Sequence, residues 1–251
     1  MKKNILITGA TSGIGLATAR LLAKEGYSLV LCGRRTERLQ ELAGELGEMA
    51  QLHLLTFDVR DREAVEQAIG SLPEKFRTID VLVNNAGNAH GLDPIGEGNP
   101  EDWDAMIDIN VKGLLYVSKA VMPQMMERKE GHIINIGSIA GKEVYPKGNV
   151  YSATKHAVDA LNKGMLQDLN PYGIKVTAIN PGLVETEFSL VRFKGDEERA
   201  KTVYEGFEPL RPEDVAEVIS FAISRPAHVN ISDLILLPTA QANATIVRKE
   251  S

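Results

Sequence analysis

Tyr151 and Lys155 stand four residues apart within Asn149-Val150-Tyr151-Ser152-Ala153-Thr154-Lys155, so a helix through this stretch puts a phenol and an amine on one face. A phenol exchanges protons near neutral pH only if its anion is stabilised, and an ammonium one helical turn away does this through space. Bringing a phenol from a pKa of about 10 to about 7 takes roughly 4 kcal/mol. The same spacing also serves solvated helix faces, so the pair gains chemical meaning from what else the chain supplies. Ser138, at the end of Ile133-Ile134-Asn135-Ile136-Gly137, could hydrogen-bond a carbonyl or alkoxide, although a serine after a strand is also ordinary turn chemistry. Near the start, Thr8-Gly9-Ala10-Thr11-Ser12-Gly13-Ile14-Gly15 separates an apolar run from a helical pattern. Its glycines permit a tight turn and close approach to a pyrophosphate, and the N–H groups that open the helix favour an anion. Three residues separate Gly9 from Gly13, a departure from the common G-x-G-x-x-G dinucleotide fingerprint.

The elements that must position these residues follow from the hydrophobic period. Residues 4–8, 28–32, 52–57, 79–83, 132–136, 175–179 and 234–237 read as strands, and 14–23, 37–46, 62–69, 100–127, 150–169 and 212–224 as helices. Strands alternating with helices need crossover connections, hence a parallel sheet covered on both faces. The expected architecture is α/β: one Rossmann-like domain over 1–251, with a doubly wound parallel sheet of about seven strands. Ligands of such sheets sit beyond the carboxyl ends of the strands, which is where the glycine turn, Ser138 and Pro181-Gly182 all fall. Segment 182–211 is polar, charged and weakly periodic, and a loop of that length reads as a lid or substrate loop.

The net charge of −6 is spread evenly over 251 residues, without a basic stripe or interleaved aromatics. Neither nucleic acid nor a membrane surface is an expected partner, which leaves a small-molecule substrate. Lys2 and Lys3 before Ile5-Leu6-Ile7 imitate a signal peptide, but Thr8 and Gly9 cut the apolar stretch short, and no window approaches the ~18 apolar residues of a membrane span. The single cysteine, Cys32, cannot form an internal disulfide and fits a reducing cytoplasm. The five histidines have no metal-ligand spacing and no Ser-His-Asp ordering, so no metal site and no hydrolase are expected.

Taken in order, T-G-x-x-x-G-I-G at 8–15, Asn84-Asn85-Ala86-Gly87, Asn110, Ser138, the Y-x-x-x-K pair and Pro181-Gly182-Leu183-Val184-Glu185-Thr186 resemble the short-chain dehydrogenase/reductase family along essentially the whole chain. The resemblance implies that Tyr151 is the general acid in carbonyl reduction and the base in alcohol oxidation, with Ser138 beside it. Lys155 would lower the phenol pKa and bind the nicotinamide ribose, and Asn110 would help relay a proton through water. Gly9, Thr11, Ser12, Gly13, Ile14 and Gly15 would hold the pyrophosphate region, and Asp58 and Val59 the adenine, although Asp58 also reads as a strand-end turn residue. Asn85, Ala86 and Gly87 would line the ribose side, and Pro181, Gly182, Val184 and Thr186 the nicotinamide carboxamide. A homotetramer is implied in the same way.

NAD enzymes place an acid roughly 20 residues beyond the glycine turn to hold the ribose hydroxyls. Here that place reads Gly33-Arg34-Arg35, where no acid repels a 2′-phosphate and a guanidinium can bind one, so NADP is the expected cofactor. Stretches 33–39, 188–196 and 226–231 further resemble the bacterial NADP-dependent 3-hydroxy acid dehydrogenases, which implies L-allo-threonine, serine or 3-hydroxypropionate as the substrate class. Such an acid needs a cationic partner, and Arg192, then Lys147, are the candidates. A 3-ketoacyl or general carbonyl reductase shares every motif of the reacting end. A non-catalytic NADP sensor is the alternative from another class.

Overall fold

Strands β1 (Asn4–Thr8), β2 (Ser28–Gly33), β3 (Leu52–Thr56), β4 (Val81–Asn84), β5 (His132–Ile136), β6 (Lys175–Pro181) and β7 (Asp233–Leu236) form one parallel sheet in the order β3-β2-β1-β4-β5-β6-β7. The computed structural model describes residues 3–250. Every residue of β2, β4, β5 and β6 is buried, because a parallel sheet covered on both faces leaves no solvated side. That is why β2 and β4 read as short apolar runs, whereas β5 and β6 also bury His132, Asn135, Lys175, Thr177 and Asn180. The edge strand β7 alternates exposed and half-buried residues instead.

The covering helices are α1 (Gly13–Lys24), α2 (Thr36–Leu46), α3 (Arg62–Gly70), α4 (Glu74–Arg77), α5 (Pro100–Ile107), α6 (Leu114–Arg128), α7 (Asn149–Leu169), α8 (Phe188–Arg192), α9 (Glu197–Thr202) and α10 (Pro212–Ser224). Strand alternation divides the core between the two faces. Ile5 and Ile7 of β1 pack with Leu22 of α1, Leu39 of α2 and Ile219 of α10. Leu6, pointing the other way, joins Val65 of α3, Val117 of α6 and Val158 of α7. The strand order reverses between β1 and β4, and the crevice at that reversal is where a doubly wound sheet receives its ligand. Among the described residues no helix is long and apolar enough to cross a membrane.

Three regions depart from the sequence reading, the first being the one-turn helix α4, to which no period points. The helix expected over 100–127 is broken in register by a π-helical stretch at Asp108–Gly113, which contains Asn110. Such bulges are an inserted-residue feature that a 3.6-residue period does not reveal, and they concentrate at functional sites. Segment 182–211 holds the helices α8 and α9, too short for periodicity to announce them. Asp196 caps α9 by accepting from the Arg199 N–H at 3.0 Å.

Candidate active site

A cleft of about 510 Å³ opens at the carboxyl edge between the β1, β4, β5 and β6 ends. At one end the chain turns through Gly9 (φ +66°) and Gly13 (φ +51°), left-handed conformations that favour glycine, and a Cβ on Gly9 would lie 2.9 Å from Asn85 Nδ2. Ser12 starts α1 without a side-chain capping bond, so no side chain occupies the first-turn N–H groups that an anion would use. Thr11, Ser12, Gly13 and Ile14 line the cleft. Gly15 stands behind the turn, where a Cβ would come within 2.3 Å of the Gly9 carbonyl oxygen, so it serves the packing of helix on turn. The opposite wall is pinned by Asn85, whose Nδ2 donates to the carbonyls of Thr8 and Gly9 at 2.9 and 3.2 Å. Thr8 Oγ1 in turn accepts from the N–H groups of Asn85 and Ala86, both at 3.0 Å.

Arg34, Arg35, Asp58 and Val59 also line this end. Arg34 is loosely held, 3.5 Å from Asp58, and more than half exposed. Burial alone would raise the Asp58 carboxyl, but hydrogen bonds from Arg60 outweigh it and hold the group below the ordinary carboxylate range. Arg35 donates to Thr11 Oγ1 at 3.0 Å and reaches Glu187 at 3.4 Å. Glu187, at the start of α8, also accepts from Arg38 at 2.9 Å.

At the reacting end, α7 presents Tyr151 and Lys155 to the cleft beside Ser138. Lys155 is 8% exposed and its Nζ donates to the Ile136 carbonyl at 2.9 Å. Burial pushes this ammonium down to about 8. The four-residue spacing predicts a phenol lowered by Lys155, but among the protein groups alone the fold reverses that expectation. Burial pushes Tyr151 up to about 12, Tyr145 adds to it, and the groups that pull it down are Arg192 and Ser138. Desolvation of the phenolate is the largest influence, while the Lys155 amine donates to a backbone carbonyl.

Arg192 comes into the cleft from the C-terminal turn of α8. Its guanidinium lies 5.0 Å from the Tyr151 ring centre, 5.4 Å from Phe188 and 5.6 Å from Tyr145, and it donates to the Tyr145 hydroxyl. Its Nε is buried without a partner. Lys147 is exposed and lines a small adjoining recess instead of the main cleft. Asn110 is 2% exposed and stands behind the cleft wall. Its side chain accepts from the Asn88 N–H at 2.9 Å and donates to the Asn88 carbonyl at 2.8 Å and to Thr154 Oγ1 at 3.0 Å. Among the described residues no cluster of His, Cys, Asp or Glu could hold a metal ion.

The family profile described as short chain dehydrogenase matches residues 3–196. The chain belongs to the short chain dehydrogenase family. This short chain dehydrogenase is 49% identical over 243 residues, 96% of each chain, to the NADP-dependent 3-hydroxy acid dehydrogenase of Salmonella typhi. It is 43% identical over 244 residues, 97% of each chain, to the serine 3-dehydrogenase of Agrobacterium fabrum. The closed form of a serine dehydrogenase complexed with NADP+ superimposes on it with a TM-score of 0.93 at 46% identity, covering 99% of this chain and 100% of that one.

Several residues that shape the site of this short chain dehydrogenase carry no signal in the sequence. Tyr145, from the loop after β5, orients Arg192 across 47 residues of chain. Phe188 meets the Tyr151 ring edge-on at 5.5 Å. Tyr204 donates to the Val184 carbonyl at 2.9 Å and shares a 2.8 Å bond with Ser189 Oγ, which ties segment 182–211 to itself. Gln241, near the C-terminus, reaches the cleft wall at Leu183.

Proposed function

We propose that this dehydrogenase transfers hydride between NADP(H) and a small 3-hydroxy acid or its semialdehyde, of the L-allo-threonine, serine and 3-hydroxypropionate class. The observation that carries the substrate reading is the Arg192 guanidinium, held over the Tyr151 ring with a buried Nε that has no partner. A cation beside the proton-transfer group is what an acid with a neighbouring hydroxyl requires. The NADP-dependent and serine-oxidising relatives support the same reading.

The cofactor end fits a dinucleotide with a 2′-phosphate. In this reading the turn Gly9 to Ile14 takes the pyrophosphate on backbone N–H groups, with Gly15 supporting it from behind. Arg34 and Arg35 take the phosphate, Asp58 and Val59 border the adenine, and Asn85, Ala86 and Gly87 border the ribose. Pro181, Gly182, Val184 and Thr186 hold the carboxamide end. Bound there, NADP(H) supplies or accepts the hydride. Tyr151 Oη donates a proton to the substrate oxygen in reduction and removes it in oxidation, while Ser138 Oγ hydrogen-bonds the same oxygen. Lys155 binds the nicotinamide ribose. Asn110 holds the Asn88 backbone in place and borders the path by which the proton is replaced.

We read the chain as one domain with segment 182–211 as the substrate lid, working as a cytoplasmic homotetramer. The exposed Ile107 and Leu115 beside the π-helical stretch support self-association, and the lone buried Cys32 suits a reducing compartment. The test is NADP-dependent turnover of serine, L-allo-threonine, 3-hydroxypropionate and malonic semialdehyde, repeated with Arg192→Ala. The expected outcome is turnover of the acids and a KM for them raised at least tenfold in the variant. Turnover of 3-ketoacyl thioesters that ignores the substitution would favour a carbonyl reductase, and NADP binding without turnover would favour a sensor.

A further inference from the structure

After β7 the chain runs back along the carboxyl edge of the sheet and folds into a small hairpin. Ala242 N donates to the Ile246 carbonyl at 2.9 Å and Arg248 N to the Ala240 carbonyl at 2.8 Å. Asn243 Oδ1 accepts from the N–H groups of Thr245 and Ile246, both at 2.8 Å, and so fixes the turn. The hairpin touches three loops around the cleft. Ala244 N donates to Glu143 Oε2 at 2.9 Å, after β5, and Glu250 N donates to the Gly206 carbonyl at 2.7 Å, at the end of the lid. The third contact is buried. Gln241, 5% exposed, accepts the Leu183 N–H on Oε1 at 2.9 Å, while its Nε2 donates to the Asn243 carbonyl at 3.0 Å.

The amide is therefore held from behind by its own hairpin and holds Leu183 in front. A Cβ on Gly182 would stand 2.2 Å from Gln241 Oε1, so the glycine leaves the space that the amide fills. Leu183 lies between Gly182, whose N–H reaches the Leu236 carbonyl at 2.8 Å, and Glu185, whose N–H reaches the Leu210 carbonyl at 2.8 Å. Pro181, Gly182, Val184 and Thr186 of the same stretch face the cleft, as do Gln241 and Ala244.

We propose that Gln241 is a positioning residue for the cofactor, setting the height of the 181–186 segment through the Leu183 N–H and with it the affinity for the nicotinamide end of NADP(H). This rests on the reading of that segment as the carboxamide-holding wall. Loss of the acceptor leaves the half-buried Leu183 N–H unpaired and lets the wall shift, whereas loss of side-chain volume alone would act on packing. The two are separable. Gln241→Met keeps the volume and removes the acceptor, and Gln241→Glu keeps an acceptor.

In the full-length protein, NADPH affinity is measured by fluorescence titration, and KM and kcat are measured for NADPH and for malonic semialdehyde. Gln241→Met is expected to raise Kd and KM for NADPH about tenfold, with the KM for malonic semialdehyde within about twofold of wild type. Both variants lose the Nε2 donor to Asn243, so Gln241→Glu, which keeps the acceptor for Leu183, is expected to lose at least about threefold less NADPH affinity than Gln241→Met. Wild-type NADPH affinity in Gln241→Met, or equal losses in the two variants that follow Tm, overturns the positioning role alone. Failure of the unsubstituted protein to bind NADPH overturns the cofactor reading and this role with it.

Discussion

Tyr151 sits where burial opposes loss of its proton, and the protein groups that favour the phenolate are Arg192 and Ser138. With the protein groups alone, a phenol pushed up to about 12 keeps its proton at neutral pH, so the positive charge of a bound oxidised nicotinamide would be needed to release it in oxidation. Tyr151→Phe should retain NADPH binding, read by fluorescence titration, yet lower kcat by about 10²-fold or more. Near-normal turnover would remove the phenol from the proton transfer. Arg34 presents the opposite case, a cation more than half exposed and only loosely paired with Asp58, and so free to take a phosphate. Arg34→Asp should shift the kcat/KM ratio towards NAD by an order of magnitude or more, since an acid there repels a 2′-phosphate and accepts the ribose hydroxyls. Both residues were legible in the sequence because each belongs to a short contiguous pattern. Direction of the phenol pKa was not, since desolvation depends on what surrounds a group in space.

At the scale of elements, segment 182–211 is tied to its surroundings by polar contacts. Glu187 at the head of α8 pairs with Arg35 and Arg38, Lys194 pairs with Asp102 at 3.0 Å, and the Arg192 carbonyl accepts from the Gly91 N–H at 3.0 Å. The Glu187 pairs are exposed, so Glu187→Gln should change the unfolding free energy by less than about 1 kcal/mol. Its effect should appear in segment 182–211 instead. Salt screening loosens the wild-type tie, and the variant has none to lose, so the substrate KM should depend on KCl concentration less steeply than in wild type. Equal salt dependence in steady-state kinetics would show that the tie plays no part. The seven strands and the long helices could be read from period, whereas α8, α9 and the π-helical stretch could not. One-turn helices and an inserted residue leave no repeat to detect.

For the whole molecule, the sheet buries a titratable group away from the cleft. His132 of β5 is 4% exposed, with Nε2 2.8 Å from Thr177 Oγ1 and no partner for Nδ1. Burial, helped by the nearby Lys175, pushes its imidazole down to about 3. Below the unfolded pKa of about 6.5 the unfolded chain binds a proton that the folded chain refuses, so stability falls as pH drops. The slope is up to about 1.4 kcal/mol per pH unit, acting from pH about 6.5 down towards about 3. His132→Leu lacks this group, so its loss of stability between pH 7 and pH 5 in urea unfolding should be smaller than that of wild type by about 1–2 kcal/mol. Equal losses would mean that His132 takes its proton within the fold.

The sequence by itself determined the parallel α/β sheet, the glycine turn, the Ser138, Tyr151 and Lys155 set and the arginines of the cofactor end. These are properties of period and of residues close together in the chain. Tertiary structure alone decided that Arg192, and not Lys147, lies over the phenol, that Tyr145 orients it, and that Gly15 supports the turn from behind. It also decided that Gln241 reaches Leu183 across 58 residues, and that burial pushes the Tyr151 phenol up. Each of these depends on which distant segments the packed sheet brings to one edge and how much water it excludes there, and no local pattern encodes either.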